Sequence, residues 1–379
     1  MNTKKLLQIV SQLMVAVERK ALVSQYDHVV FHDKALSTFN GKIFISHPIE
    51  SDLDCSVVAE DLVNVLRTID SEEITLKLKD NVLNISSDDV GADLSTEVYE
   101  DSVVKTIKSM NIGGMNWAKA PKAPKDLIQG IANCKFSVSK DVSCYENTGC
   151  VHIVGNVIES SDGYRATEYI MNGDMEEMLI PVSSAVSLGD FQPVSYIKSN
   201  GWCHFRDTND VIFSVAIIEG EFPNLSKIFE ETVPEVTITV PIQITNILSE
   251  FSKLSSGESD IFKFMNIIIG NGKIVCKTSK QGCTVTKKIN FPDAKESVDF
   301  TISPTLLSSV LSKTNVIGIN RTNNLAVFSS ENFTHVITLP QTEQEEEQPY
   351  PAQEQEEQPY PTQDVGVKTK KVADDEIPF

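Results

Sequence analysis

The chain has 379 residues, 41% of them hydrophobic and 23% charged, with a formal net charge of −20. That is enough chain for two or three domains, each with its own apolar core. Thr342 to Phe379 holds 11 acidic and 3 basic residues, which leaves 42 acidic and 30 basic in the body. This balance excludes a protein that coats nucleic acid over its whole surface but permits a local basic face.

The predicted elements begin with KKLLQIVSQLMVAV from Lys4, where Leu6, Ile9, Val10, Leu13, Met14 and Val17 mark one face of an amphipathic helix. Gln8, Ser11 and Gln12 interrupt its apolar run, so it reads as a helix rather than a signal peptide. Alternating strands follow in HVVFHDKALSTFNGKIFIS, then a helix in VVAEDLVNVLRTI and a hairpin in EITLKLKDNVLNISS. The order then repeats. PKDLIQGIANCKF from Pro124 and PVSSAVSLGDF are helices, with strands VHIVGNVIESSDGYRATEYI and YIKSNGWCHFRDTNDVIFSVAII. A third round has helices PIQITNILSEFSKL from Pro241 and SPTLLSSVLSK, with strands FKFMNIIIGNGKIVCKTSK and VIGINRTNNLAVFSSENFTHVITL. Pro124 and Pro241 suit the first turn of a helix. Turns are expected at Lys79-Asp80-Asn81, Asp207 to Asp210 and Arg321 to Asn324.

One pattern occurring three times predicts an α+β protein of three tandem similar domains. Each has helices on one face and antiparallel sheet on the other. The expected bounds are 1–116, 117–232 and 233–341, with a disordered acidic tail at 342–379.

Nothing in the sequence points to catalysis. GNGK (Gly270 to Lys273) is a hairpin turn and not a phosphate loop. His28, His32, His47, His152, His204 and His335 are scattered without metal-ligand spacing. No serine sits in G-x-S-x-G. The seven cysteines (Cys55, Cys134, Cys144, Cys150, Cys203, Cys276, Cys283) form no C-x-x-C pair, which fits reduced thiols in a cytosolic protein. No enzyme activity, metal or cofactor is expected, and no stretch is apolar for long enough to span a membrane.

Four segments carry a resemblance. IESSDGYRATEY (Ile158 to Tyr169), LIPVSSAV, AIIEGEFPNLSKIF (Ala216 to Phe229) and THVITLPQ (Thr334 to Gln341) resemble, in order and spacing, segments of the bacterial-type DNA polymerase sliding clamp, the β clamp. The resemblance spans Met1 to about Gln341. It implies a homodimeric ring around duplex DNA, a non-enzymatic processivity factor whose partners are a DNA polymerase and a clamp loader, with helices lining the hole. Lys4, Lys5, Arg67, Lys125, Lys135, Lys253 and Lys313 would then face DNA. Lys119 and Lys122, and Arg19 and Lys20 after the first helix, would assist. Glu60, Asp61 and Glu250 share these helices and thin the basic lining. A groove for partner peptides would be built from Ser161, Gly163, Tyr164, Arg165, Ala166, Pro223, Lys227, Ile228, Ile337, Leu339, Pro340 and Gln341. Ala166 and Gln341 depart from the larger aliphatic residues usual there.

After Gln341 the sequence repeats E-Q-E-E-Q-P-Y-P and ends in DDEIPF. The tip resembles that of bacterial single-stranded-DNA-binding proteins. It suits capture by a basic-rimmed apolar pocket, with Phe379 as anchor, Pro378 stiffening it, Ile377 adding contact, and Asp374, Asp375 and Glu376 steering. The tail could recruit proteins that read such tips. The tether of 32 residues before it would span about 30 Å if flexible. The tip also raises an alternative, a single-stranded-DNA-binding or recombination-mediator protein. That reading suits poorly a chain with two tryptophans and helices throughout.

Overall fold

The computed structural model describes residues 1–340 apart from 19–22, 24, 98–100, 111, 140–146, 231, 255–261, 281 and 294–296. The expectations for Arg19, Lys20, Gln341 and the tip Asp374 to Phe379 lie outside the described residues. In the first repeat, helix α1 (Thr3–Leu13) precedes strands β1 (His28–His32), β2 (Ala35–Phe39), β3 (Ile43–Pro48) and β4 (Cys55–Val58). Helix α2 (Ala59–Arg67) leads into β5 (Thr75–Lys79), β6 (Val82–Ser86) and β7 (Gly91–Ser95), and then α3 (Asp101–Ser109). The second repeat has α4 (Leu127–Cys134), β8 (Cys150–Ser161), β9 (Arg165–Pro181), α5 (Val182–Ser187), β10 (Ser195–Ser199), β11 (Trp202–Arg206), β12 (Ile212–Ala216) and α6 (Ser226–Glu230). The third has β13 (Val236–Thr239), α7 (Ile244–Leu254), β14 (Met265–Gly270), β15 (Lys273–Lys280), β16 (Cys283–Asn290) and β17 (Val298–Ile302). It closes with α8 (Pro304–Leu311), β18 (Val316–Asn320), β19 (Leu325–Ser330) and β20 (Phe333–Thr338).

All six expected helices form, and local chemistry explains their ends. The Asn2 side chain accepts the Lys5 N–H at 2.9 Å and caps α1. Ser303 caps α8, with Pro304 at its first position. Pro124 and Pro241 do not begin their helices. Each opens a preceding turn, its carbonyl accepting the N–H of Leu127 or Ile244, where the helix starts. Among the described residues two α-helices were not anticipated. One is the short α6. The other is α3, whose Ile107 packs with Met110 against Phe39, Phe44 and Trp202.

The turns formed as their residue types required. Asp80 and Asn81 have φ of 49° and 60°, and Asn271 and Gly272 have φ of 50° and 72°. Asn, Asp and Gly tolerate this left-handed region best, and it lets a hairpin keep its strand twist.

The sheets cross the repeats. The order β10-β11-β12-β3-β2-β1-β4 forms one seven-stranded antiparallel sheet, joined where Ile212 pairs with Ser46. The order β13-β18-β19-β20-β9-β8 forms a six-stranded sheet, joined where Val336 pairs with Ala166. The sheets β16-β15-β14-β17 and β5-β6-β7 stay within single repeats. Helices pack in pairs, α1 with α2, α4 with α5 and α7 with α8. Their buried stripes (Leu6, Ile9, Val10 and Leu13 on α1; Ile244, Ile247, Leu248 and Phe251 on α7) join one apolar core that runs through all three repeats. Each such side chain contributes about 1.5–3 kcal/mol by leaving water.

Helix α4 lies unusually close to its sheet. A Cβ added at Gly130 would come within 2.6 Å of Ile158 Cδ1 and 2.8 Å of Tyr169 Cδ1. Gly130→Ala should therefore cost about 1–3 kcal/mol through overpacking. This reverses the gain that alanine normally brings to a helix interior, and urea denaturation would measure it.

Candidate functional site

The D-G-Y-R stretch is a turn that builds itself. Asp162 Oδ1 accepts the backbone N–H groups of Tyr164 and Arg165, both at 3.1 Å. Gly163 has φ 86°, a conformation that favours glycine. Ser161 Oγ donates to the Arg165 carbonyl at 2.9 Å and accepts the Gly163 N–H at 3.1 Å. Arg165 then spans the fold. Its Nε donates to Asp162 Oδ2 at 2.8 Å and its Nη1 to Ser309 Oγ on α8 at 3.0 Å. Its guanidinium lies 5.5 Å from the centre of the Phe136 ring.

Pairing of β9 with β20 brings the closing strand to this turn. Ile337 is opposite Arg165, and the Thr338 N–H donates to the Tyr164 carbonyl at 3.0 Å. Alternation along β20 divides its side chains. Ile337 and Leu339 are buried in the main core. Val336 points the other way and packs with Leu325 and Val327 against Phe229 of α6. The three expected segments thus meet. Tyr164, Lys227, Ile228 and Pro223 are exposed, Pro340 and Arg165 are half-buried, and Ser161 and Ala166 are buried.

Several residues of this site escaped sequence reasoning. Phe262 is exposed and meets Tyr164 edge-on, ring centres 5.2 Å apart and planes at 89°. Val336, Leu325, Val327 and Phe229 form an apolar bed, and Asp162 and Ser309 fasten Arg165. Asp162 had a local signal, an aspartate two residues before an N–H it can cap. Phe262 had none, because nearly a hundred positions separate it from Tyr164.

Beneath the turn, Thr167 Oγ1 lies 2.8 Å from His335 Nδ1, and Ser137 completes the cluster. Burial, and secondarily the Arg165 charge, pushes His335 down to about 3. The imidazole is therefore neutral at physiological pH.

Lys4, Lys5, Arg67, Lys119, Lys122, Lys125, Lys135, Lys253 and Lys313 are all exposed, and none is in an ion pair among the described residues. Lys4, Lys5, Arg67 and Lys253 stand on α1, α2 and α7. Lys125, Lys135 and Lys313 flank α4 and α8, and Lys119 and Lys122 lie on the segment before α4. Glu60 and Asp61 occupy the first turn of α2, where they complement the helix dipole. Glu250 on α7 is paired with Lys287 of β16, so its charge is offset from within the chain.

Among the described residues no group of three His, Cys, Asp or Glu side chains could hold a metal ion, and no helix is long and apolar enough to cross a membrane.

No protein-family model matches the sequence, and no curated protein matches it. Solved structures do match. The chain superposes on the DNA polymerase III β chain of Streptococcus pneumoniae with a TM-score of 0.72 at 17% identity, covering 90% of this chain and 98% of that one. For the β subunit of DNA polymerase from Streptococcus pyogenes the values are 0.74, 15%, 90% and 99%. For the DNA polymerase III subunit β of Pseudomonas aeruginosa they are 0.70, 14%, 90% and 99%. At these identities the likeness is one of fold: three tandem clamp-type repeats, helices on one face and antiparallel sheet on the other.

Proposed function

We propose that this chain is a sliding clamp: two copies close a ring around duplex DNA and tether a polymerase and a clamp loader. The observation that carries the reading is the fold itself, matched over 90% of the chain. Sheets shared between successive repeats make a continuous wall and leave the paired helices together on one side. The domains would be 1–116, 117–232 and 233–341, with exposed lysines and Arg67 on the helix side meeting phosphate without reading sequence. An acidic exterior disfavours adventitious DNA binding, and a protein held by topology needs only weak phosphate contacts.

Ring closure needs a second copy, and the two sheets confined to single repeats supply the edges. In β16-β15-β14-β17 and in β5-β6-β7 the outer strands pair on one side only, among the described residues. The β15–β16 hairpin carries Lys273, Lys277, Lys280, Lys287 and Lys288 with no acidic residue, whereas Asp88, Asp89 and Asp93 lie on and beside β7. Opposite charge favours pairing of β16 with the β7 of another copy over like-with-like pairing. Partner peptides would dock where Tyr164, Ile228 and Phe262 are exposed, with Lys227 as the nearby cation.

The test is loading onto nicked circular duplex. The protein should stay with the circle through gel filtration and be lost when the circle is cut. Nanomolar binding to short linear duplex and to single strands without a loader would overturn the reading in favour of a single-stranded-DNA-binding protein. The tip DDEIPF would recruit readers of single-stranded-DNA-binding-protein tips. A peptide ending in DDEIPF should bind such a reader at moderate salt, and deleting Phe379 should abolish that binding while polymerase stimulation stays unchanged.

A further inference from the structure

Just before α6, which carries Lys227 and Ile228, the chain meets a histidine the sequence reading left unassigned. Phe222, four residues before α6, stacks its ring on the His152 imidazole with centres 4.8 Å apart and planes at 28°. His152 Nδ1 lies 2.7 Å from Glu159 Oε1, and Nε2 lies 3.3 Å from Glu177 Oε1. A neutral imidazole has one N–H and one lone pair, so it can donate to only one of two carboxylates. The imidazolium donates to both. His152 and Glu159 are buried and Glu177 is exposed. The geometry arises because β8 bends at Gly155, φ 56°, where its register against β9 shifts, which brings residues 152 and 159 of one strand within contact.

The charges around this ring are few. Glu159 is directly opposite Glu168 on β9, a like-charge pair. Lys198 of β10 donates through Nζ to the Glu177 backbone carbonyl at 2.6 Å. Glu221 adjoins Phe222 in the chain, its carbonyl accepting the Asn147 side-chain N–H at 2.8 Å. Burial alone would lower the His152 pKa, but its bonds and charge interactions with Glu159 and Glu177 outweigh it, so the net shift is upward.

We propose that His152 is a positioning residue for the α6 wall of the partner groove: its imidazolium, braced by Glu159 and Glu177, seats Phe222, and loss of its proton releases that wall. Deprotonation leaves one carboxylate facing a lone pair and leaves Glu159 and Glu168 repelling each other without a cation. It also removes the positive charge from the Phe222 face. Peptide docking would then weaken as pH rises through the His152 titration. The sign follows from the raised pKa: the interaction is fully present below about 6.5, the unfolded value, and is lost above the folded one.

The inference rests on the groove reading, but its test needs no partner. In isoleucine-methyl-labelled full-length protein, the Ile228 methyl resonance and the His152 Hε1 resonance should titrate with one shared midpoint above 6.5. The Ile267 methyl, on β14 in the separate four-stranded sheet, should not follow them. In His152→Gln the pH-dependent movement of Ile228 should disappear, and in Glu159→Gln the shared midpoint should fall. A flat Ile228 response across the His152 titration, a midpoint below the ordinary value, or an Ile228 shift that persists in His152→Gln would each overturn the proposal. Failure of the groove reading would look different: Ile228→Glu would leave polymerase stimulation undiminished while the wild-type titration stayed intact.

Discussion

Arg165→Ala should destabilise the folded unit by about 3 kcal/mol, the scale expected when one partner of a largely buried ion pair is removed. Its side chain and that of Asp162 are 11% and 6% exposed, so the carboxylate left behind has little water to turn to. The same change removes the bond to Ser309 on α8 and the cation above Phe136. Three parts of the fold, the turn before β9, the segment after α4 and α8, thus lose one shared fastening. Asp162 keeps the backbone N–H groups of Tyr164 and Arg165, so the turn itself should survive. Arg165→Lys should recover part of the loss by restoring charge, but not the two-directional geometry of the guanidinium. Urea denaturation at neutral pH checks this. A loss below about 1 kcal/mol, the level of an exposed pair, would mean the clip is ornamental.

The second large effect is loss of stability in mild acid. His335 and His204 are fully buried, with pKa values lowered to about 3 and about 4, in both cases chiefly by burial. In the unfolded chain each takes up a proton near 6.5, so below that pH the unfolded state binds more protons than the folded one. The stability these groups provide is therefore present above about 6.5 and lost as pH falls towards their folded values. Each histidine should contribute a slope of about 1.4 kcal/mol per pH unit, or together about 4 kcal/mol between pH 7.5 and pH 5. Urea titrations at the two pH values measure it, and His335→Gln should remove about half of the slope whatever it does to the absolute stability. His152 titrates in the opposite sense, so His152→Gln should leave this acid limb in place.

Much of the architecture was legible because its determinants are local. The apolar stripes of α1 and α7 recur at helical spacing within a dozen residues. The hairpins at Asp80-Asn81 and at Asn271-Gly272 require residues that tolerate positive φ. The turn at Asp162 to Arg165 is written in neighbouring side chains, and its D-G-Y-R stretch carried the resemblance only together with the other segments at their spacing. Even the prolines misjudged as first-turn residues marked the right places, three positions early.

What the sequence by itself determined, then, is six helices, the main hairpins, their threefold order and the turns between them, since each depends on residues only a few positions apart; α3, α6 and the strands β4, β7, β13, β16 and β17 emerged only in the fold. Tertiary structure alone decided which repeats share a sheet, because the contacts of β12 with β3 and of β20 with β9 join strands more than a hundred residues apart and nothing in either strand encodes its partner. It also decided which face of β20 meets α6. Ile337 and Val336 are equally apolar, and only the placement of α6 makes Val336 the one that meets Phe229. The same holds for Phe262 beside Tyr164, Ser309 on Arg165 and Phe222 on His152. These contacts follow from packing of distant segments, where burial is non-directional and selects the partner that fills the space.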